Sequence, residues 1–260
     1  MESAPSARAR AFGSVSRFLD RSGLLRLTSP IWNRARLLTD DAGKPAFPFL
    51  RLAKTLNAQI LIYHRVNDEG DPYFGGVPTA VFERQMEYLA SRFHVMALSR
   101  LVAALEERSI PPNAIAITFD DGYRDNYTNA LPILTRYKVP ATIFVSTGAI
   151  GSTRQLWHDD VFSAFRDTTQ PFLAPYGGRA TASPLGTIPE RLRTQREFLT
   201  HVRTLREPER SRAIAWLREA LRVGPPREAP GLMLSWDEVK EMHRAGIEFG
   251  SHTVSHPILS

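Results

Sequence analysis

Apolar residues recur in short runs between Leu56 and the end of the chain, and segments with helical spacing separate these runs. The runs are continuous rather than alternating, which is typical of parallel strands covered on both faces. The predicted strands are 59–66 (QILIYHRV), 94–98 (HVMAL), 114–120 (AIAITFD), 141–147 (ATIFVST) and 247–251 (IEFGS).

The intervening segments predict amphipathic helices. The predicted helices are 80–93, 100–108, 130–138 and 235–246. Ser99 is expected to cap the second of these, and Ser235 with Glu238 forms a capping box for the last. Gly246 is the expected C-terminal stop of that helix. Strand–helix alternation predicts an α/β fold, either a doubly wound sheet or an (α/β) barrel, with functional groups at the carboxyl ends of the strands.

Two segments depart from this alternation. Residues 1–55 predict an N-terminal extension, in which an amphipathic helical pattern is followed by a linker rich in glycine and proline. That helix could lie on a membrane surface or pack on its own domain. Residues 56–260 predict one domain, and within it about 151–230 predicts a helical insertion. The insertion could be a solvated surface or a lid that contacts substrate.

Composition narrows the class of protein only slightly. The 260 residues include no cysteine, which excludes disulfides and thiolate metal sites and fits a reducing compartment. The net charge is +6, from 33 basic and 27 acidic residues, and nearly all the basic residues are arginine. This excess reflects either codon bias in a GC-rich genome or attraction to an acidic polymer or membrane surface. We find no secretory signal or membrane span, so we expect a cytoplasmic protein, with peripheral membrane association open.

The stretch TFDDGY (118–123) places two adjacent carboxylates, Asp120 and Asp121, at the end of a buried strand. Neighbouring side chains in a strand point to opposite faces, so both can reach one pocket only where the backbone turns. Gly122 allows such a turn because it tolerates a positive φ. Two like charges this close repel each other, and a bound cation would remove that repulsion.

The stretch SHTVSH (251–256) supplies candidate partners for that cation. His252 and His256 are four residues apart, which on a helical turn would place both rings on one face. The pair follows a strand end, as the aspartates do, so both pairs can meet at one edge of the sheet. Two imidazoles and one carboxylate leave coordination positions open for water and substrate. The other aspartate is then free to act as a base.

TFDDGY followed by SHTVSH resembles the first two motifs of the polysaccharide deacetylases, carbohydrate esterase family 4. The stretches ILIYHRV, FERQMEYLA and LSWDEVKEMHRAGIEFGSH are also similar to bacterial members, so the resemblance covers about residues 56–260. It implies a distorted (β/α) barrel and a metal-dependent hydrolase that removes N-acetyl groups from an amino-sugar glycan. It also implies an N-acetylated glycan as the partner rather than nucleic acid, while the oligomeric state stays open.

The resemblance also implies roles for the motif residues. Asp120 corresponds to the catalytic base, and Asp121, His252 and His256 correspond to the metal ligands. The implied metal is a divalent cation, with Zn²⁺ the usual one. The family's later motifs, which supply an acetyl pocket and a general acid, lie downstream of the histidine motif. We therefore assign no general acid, and expect the domain to be incomplete and not competent for catalysis as it stands.

The sequence leaves the roles of several other residues open. His64 could line the pocket or be a packing residue. His158, Asp159 and Asp160 could form a second metal site or a polar helix surface. Tyr123 and Arg124 could contact substrate. Trp157 and Trp236 fit packing better than sugar stacking.

Three functions remain open at this level: a glycan deacetylase, a hydrolase of another amide on the same scaffold, and a non-catalytic binding protein.

Overall fold

The computed structural model describes residues 58–226 and 228–258, so the predicted extension 1–55 lies outside the described residues. No helix in these two ranges combines the length and hydropathy needed to cross a membrane. In chain order the elements are β1 (Gln59–Tyr63), α1 (Thr79–Arg92), β2 (His94–Val95), α2 (Leu98–Glu106), β3 (Ala114–Asp121), a π-helical turn (Asn126–Ala130), α3 (Leu131–Tyr137), β4 (Ala141–Val145), α4 (Trp157–Asp167), β5 (Phe172–Leu173), β6 (Ser183–Pro184), α5 (Ile188–Val202), α6 (Glu207–Ala220), α7 (Trp236–Arg244) and β7 (Glu248–Ser251).

Five of these strands form one parallel sheet, which confirms the predicted α/β class. The order is β1-β3-β4-β7, and β2 pairs with the start of β3. The central strand β3 is buried over almost its whole length, as its unbroken apolar run predicts. Because the strands are parallel, the carboxyl ends of β1, β3, β4 and β7 meet at one edge of the sheet.

The helices pack their apolar stripes against this sheet. In α1 the buried positions are Phe82, Met86 and Leu89, which recur at helical spacing on one face. The capping box of Ser235 and Glu238 is present at α7, and Gly246 follows that helix with a φ of +95°. The predicted Ser99 cap is wrong. Ala97 is the N-cap of α2, and Ser99 instead donates its hydroxyl to the carboxylate of Glu248 on β7.

The described part of the segment from Gly151 to Pro230 contains three helices, α4 to α6, and a small antiparallel pair, β5 and β6. These elements bury a separate apolar cluster that includes Val161, Phe165, Phe198 and Leu217. The segment therefore has its own core, which gives α4 a fixed position from which polar side chains can be presented.

A buried ion pair joins the loop after β1 to the turn after β3. Arg65 Nε donates to Asp125 Oδ2 at 2.7 Å, and both side chains are almost fully buried. The amide of Asn67 also donates to Asp125 Oδ2, and the backbone N–H of Val66 donates to Oδ1. These charged and polar donors share one carboxylate. They fix the two strand-end loops relative to each other.

The backbone reverses sharply where β3 ends. Asp121 has a φ of +76°, and Gly122 N donates to Asp120 O at 3.0 Å. This i→i+2 hydrogen bond with a positive central φ is the rare, strained γ-turn. Gly122 follows with a φ of +87°, and a Cβ there would lie 2.9 Å from Ile150 Cδ1 and 3.0 Å from Val145 Cγ1. Only glycine fits both the conformation and the space.

This turn gives a stability prediction for Gly122→Ala. The left-handed conformation costs a non-glycine residue about 1–2 kcal/mol, and forcing a methyl group into packed side chains adds about 1–3 kcal/mol. The matched control is Gly178→Ala, because Gly178 has a φ of +82° but no atom within 4 Å of an added Cβ. Urea denaturation should show the larger loss of unfolding free energy for Gly122→Ala. Equal losses would mean that the contacts with Ile150 and Val145 carry no cost.

Candidate metal centre

Three predicted site residues converge at the carboxyl edge of the sheet. The Nε2 atom of His256 lies 3.2 Å from Asp121 Oδ1, and Nε2 of His252 lies 3.7 Å from the same oxygen. One ligand atom from each residue lies within 4.8 Å of the other two. Among the described residues, this is the one group of three such side chains close enough to share a metal ion.

The loop after β7 brings the two histidines together without the helical turn that their spacing suggested. Residues 252–258 contain no helix. Instead His252 N donates to Val145 O at 2.8 Å, and the N–H groups of Thr147 and Gly148 donate to carbonyls of this loop. These bonds attach the histidine loop to the loop that follows β4. The convergence thus depends on pairing between strand ends, not on helical geometry.

The donor set and its surroundings fit a divalent cation. Asp121 is 1% exposed, yet its Oδ1 atom has no hydrogen-bond partner within the described ranges, and neither has the buried Nδ1 of His256. A buried carboxylate oxygen left unsatisfied is costly unless a cation or a further donor completes it. Two imidazoles and a carboxylate, with no thiolate, form a set that suits Zn²⁺ and leaves positions open.

The pKa values of the two aspartates are shifted in opposite directions. Burial alone would raise the pKa of Asp121, but the facing imidazole of His256 outweighs burial and holds the pKa of Asp121 below the usual range. Asp120 is half-buried, and burial together with the charge of Asp121 raises its pKa against the opposing effect of His252 and His64. Two neighbouring carboxyls whose pKa values move apart are suited to different tasks.

Asp121 also acts on its histidine neighbour. The carboxylate of Asp121, whose Oδ1 lies 3.2 Å from Nε2 of His256, raises the pKa of the His256 imidazole above its usual value, and this effect exceeds the lowering caused by burial.

The helical segment contributes a histidine that the sequence did not place here. His158 Nε2 lies 3.8 Å from Asp121 Oδ2 and 2.9 Å from Tyr123 Oη, and the Tyr123 hydroxyl donates to Asp159 Oδ1 at 2.8 Å. Burial lowers the pKa of His158 to about 3, so this imidazole is neutral, and burial raises the pKa of Asp159 to about 7. Within the described residues the WHDD stretch therefore adds to the predicted site instead of forming a separate one.

Several of these groups line a cavity of about 310 Å³. Its wall includes Asp121, His158, His256, His64, Trp157 and Arg203. His64, which directly follows β1, is thus a cavity residue, the first of its two interpretations. Tyr123 also lines the cavity, whereas Arg124 pairs with Glu238 at 2.7 Å and borders a different pocket.

The packing role that the sequence favoured holds for Trp157, which packs against the apolar cluster of the helical segment, but Trp157 also contacts the site. Trp157 lines the cavity, and its indole Nε1–H donates to the His256 carbonyl at 2.9 Å. Trp236 is 48% exposed. The signal that could have pointed to Trp157 is its place directly before a histidine and two aspartates, a cluster of side chains suited to a polar site.

The chain matches known proteins over part of their length. YxkH of Bacillus subtilis (strain 168), named as a polysaccharide deacetylase, is 29% identical over 115 residues, 44% of this chain and 40% of that protein. Poly-beta-1,6-N-acetyl-D-glucosamine N-deacetylase of Staphylococcus aureus (strain MSSA476) is 36% identical over 76 residues, 29% of this chain and 26% of that protein. The alignments thus span less than half of these relatives.

A solved structure and a family model also match. The Streptococcus pyogenes deacetylase PplD, solved in complex with acetate, is 19% identical, with a TM-score of 0.43 over 77% of this chain and 57% of that one. The family model described as polysaccharide deacetylase matches residues 107–260, which include both aspartates, both loop histidines and the whole helical segment. With more than half of its residues matched by this model, the chain belongs to the polysaccharide deacetylase family.

Proposed function

We propose that this protein is a metal-dependent hydrolase that removes N-acetyl groups from an amino-sugar glycan and releases acetate. The observation that carries the proposal is the convergence of Asp121, His252 and His256 within 4.8 Å, directly beside Asp120, in a member of this family. The relative from Staphylococcus aureus is named for a β-1,6-linked N-acetylglucosamine polymer, so this polymer is the first substrate class to test.

Asp121, His252 and His256 would hold the cation, with Zn²⁺ the metal that the donor set favours. When bound, the cation supplies a Lewis acid that polarises a carbonyl and lowers the pKa of water. The chain's own contribution is to hold the three ligands together at the carboxyl edge of the sheet, one at the end of β3 and two on the loop after β7. The neutral, buried His158 fits this arrangement because it adds no second positive charge beside the ligands.

Asp120 is the proposed base. It lies next to a metal ligand but outside the ligand group, so its carboxylate is free to take a proton from the attacking water. Burial raises its pKa, which moves this carboxyl toward the working pH, where a general base is most effective. The γ-turn at Asp121 interrupts the ordinary alternation of strand side chains, so Asp120 and Asp121 can both lie near the same histidines.

His64 is the proposed donor of a proton to the departing amine. The sequence motifs identify no group for this step, which is why the sequence predicts a domain that is not competent for catalysis, but the cavity contains two further histidines, His64 and His158. Because its pKa is lowered to about 3, His158 is uncharged at neutral pH. It therefore lacks the extra proton that a charged imidazolium would donate. His64 is exposed on the cavity wall and close enough to affect the pKa of Asp120, so it fits the role better.

The ligand and base assignments predict different defects. His252→Ala and Asp121→Ala should lose tight Zn²⁺ binding, whereas Asp120→Asn should keep the metal and lose acetate release by about 10²–10⁴-fold. His243→Ala, on α7, is the control and should match wild type in both assays. Elemental analysis after dialysis and acetate release from N-acetylglucosamine oligomers are the measurements. Equal zinc content in wild type and His252→Ala would contradict the ligand set.

The affinity for Zn²⁺ should fall as pH decreases. Asp121 raises the pKa of His256 above its usual value of about 6.5, so a proton competes with the cation from above that pH. The same proton stabilises the metal-free fold at low pH, and this contribution disappears as pH rises through the raised pKa. Chelator competition across the range from about pH 5.5 to about pH 8.5, which brackets the usual histidine pKa, should show weaker binding at each more acidic step. A flat profile would show that His256 is not a ligand.

The His64 assignment predicts a catalytic defect without a metal defect. His64→Ala should lower acetate release by about 10²–10⁴-fold, with the zinc content unchanged, because His64 is not in the ligand group. His94→Ala, at an exposed position on β2, serves as the control. Wild-type turnover by His64→Ala would assign the proton transfer to another group.

A further inference from the structure

His256 has a backbone conformation that its own sequence does not favour. Its φ is +56°, in the left-handed region, where residues with a Cβ are strained. Such a conformation persists only where surrounding contacts determine it. The imidazole is also half-buried, with its Nε2 atom 3.2 Å from Asp121 Oδ1, so any relaxation of this backbone would move that nitrogen.

Two hydrogen bonds hold the His256 backbone. Its N–H donates to Thr253 Oγ1 at 3.0 Å, which is a bond within the same loop. Its carbonyl accepts the indole N–H of Trp157 at 2.9 Å, a bond that spans 99 positions of the chain. The second bond is therefore the one that ties this strained residue to a separate element, the first turn of α4.

The indole is itself held in place by the helical segment. Trp157 is the first residue of α4, and the guanidinium of Arg210 on α6 lies 5.1 Å from the centre of its ring. Arg210 is only 2% exposed, and a cation over an indole face is attractive, more so when it is removed from water. The core that joins α4 to α6 thus fixes the direction in which the indole N–H points.

We infer that Trp157 is a positioning residue for the metal site, which orients His256 through the hydrogen bond from its indole N–H to the His256 carbonyl. The inference rests on the proposed metal-binding function and adds a role for the helical segment in it. Removal of a hydrogen-bonding group that orients a metal ligand commonly changes metal affinity by about 10–100-fold. Trp157 acts through His256 and is not itself a ligand.

The test removes the N–H while keeping the aromatic bulk. Trp157→Phe in the full chain should weaken Zn²⁺ binding by about 10–100-fold in a chelator competition assay. The control is Trp236→Phe, since Trp236 also begins a helix but is 48% exposed and is not among the cavity-lining residues. That variant should bind Zn²⁺ as wild type does.

A second substitution separates the hydrogen bond from packing. Incorporating 3-benzothienylalanine at position 157 keeps the shape of the indole and replaces its N–H with sulfur, so the fold should be retained even if Trp157→Phe unfolds. Weaker Zn²⁺ binding with an unchanged metal-free melting temperature supports the inference. Wild-type affinity in this variant overturns it.

The same assay distinguishes this inference from the proposed function. If His252→Ala loses Zn²⁺ while both Trp157 variants bind it normally, the metal site stands and the role of Trp157 is wrong. If wild type and His252→Ala bind Zn²⁺ equally weakly, the proposed metal site is wrong, and the inference that depends on it fails with it.

Discussion

The γ-turn at the end of β3 is the constraint on which the site depends. In an ordinary strand Asp120 and Asp121 would point to opposite faces, and one of them would enter the apolar layer beneath the sheet. The positive φ of Asp121 changes that direction, and Gly122 continues the turn in a space too small for any Cβ. Asp121 can then be buried against two histidines while its neighbour stays accessible.

Loops from neighbouring strands bring other side chains to the edge of the sheet where this turn lies. β3, β4 and β7 are adjacent and parallel, so the aspartate turn, the loop after β4 and the histidine loop all leave the sheet at one edge. Backbone hydrogen bonds between the last two loops, and the buried pair of Arg65 and Asp125 beside the first, hold the edge together. A metal site assembled from separate loops needs such bonds, because its ligands are far apart in sequence.

The sequence predicted the parts of this arrangement that depend on local pattern. Continuous apolar runs indicated the strands, the box of Ser235 and Glu238 indicated a helix start, and two short motifs supplied the candidate ligands. It did not predict contacts made over long separations. Ser99 bonds to Glu248 and not to its own helix end, and Trp157 and His158 reach the site because a separately packed core holds α4 against it. No periodicity within a short window carries that information.

Strained backbone and a buried carboxylate oxygen without a hydrogen-bond partner occur together where the proposed chemistry takes place. Asp121, Thr253 and His256 all have positive φ without being glycine, and Asp121 keeps an unsatisfied oxygen in a buried position. Each of these features costs stability, and each would be removed by a simple relaxation of the loop. The surrounding contacts oppose that relaxation: the turn through Gly122, the loop hydrogen bonds, and the indole of Trp157 on the carbonyl of His256. A bound cation would recover part of the cost, because it satisfies the oxygen that the fold leaves without a partner. The fold therefore holds the ligands at this edge in an arrangement that favours the cation, and a relaxed loop would not do so.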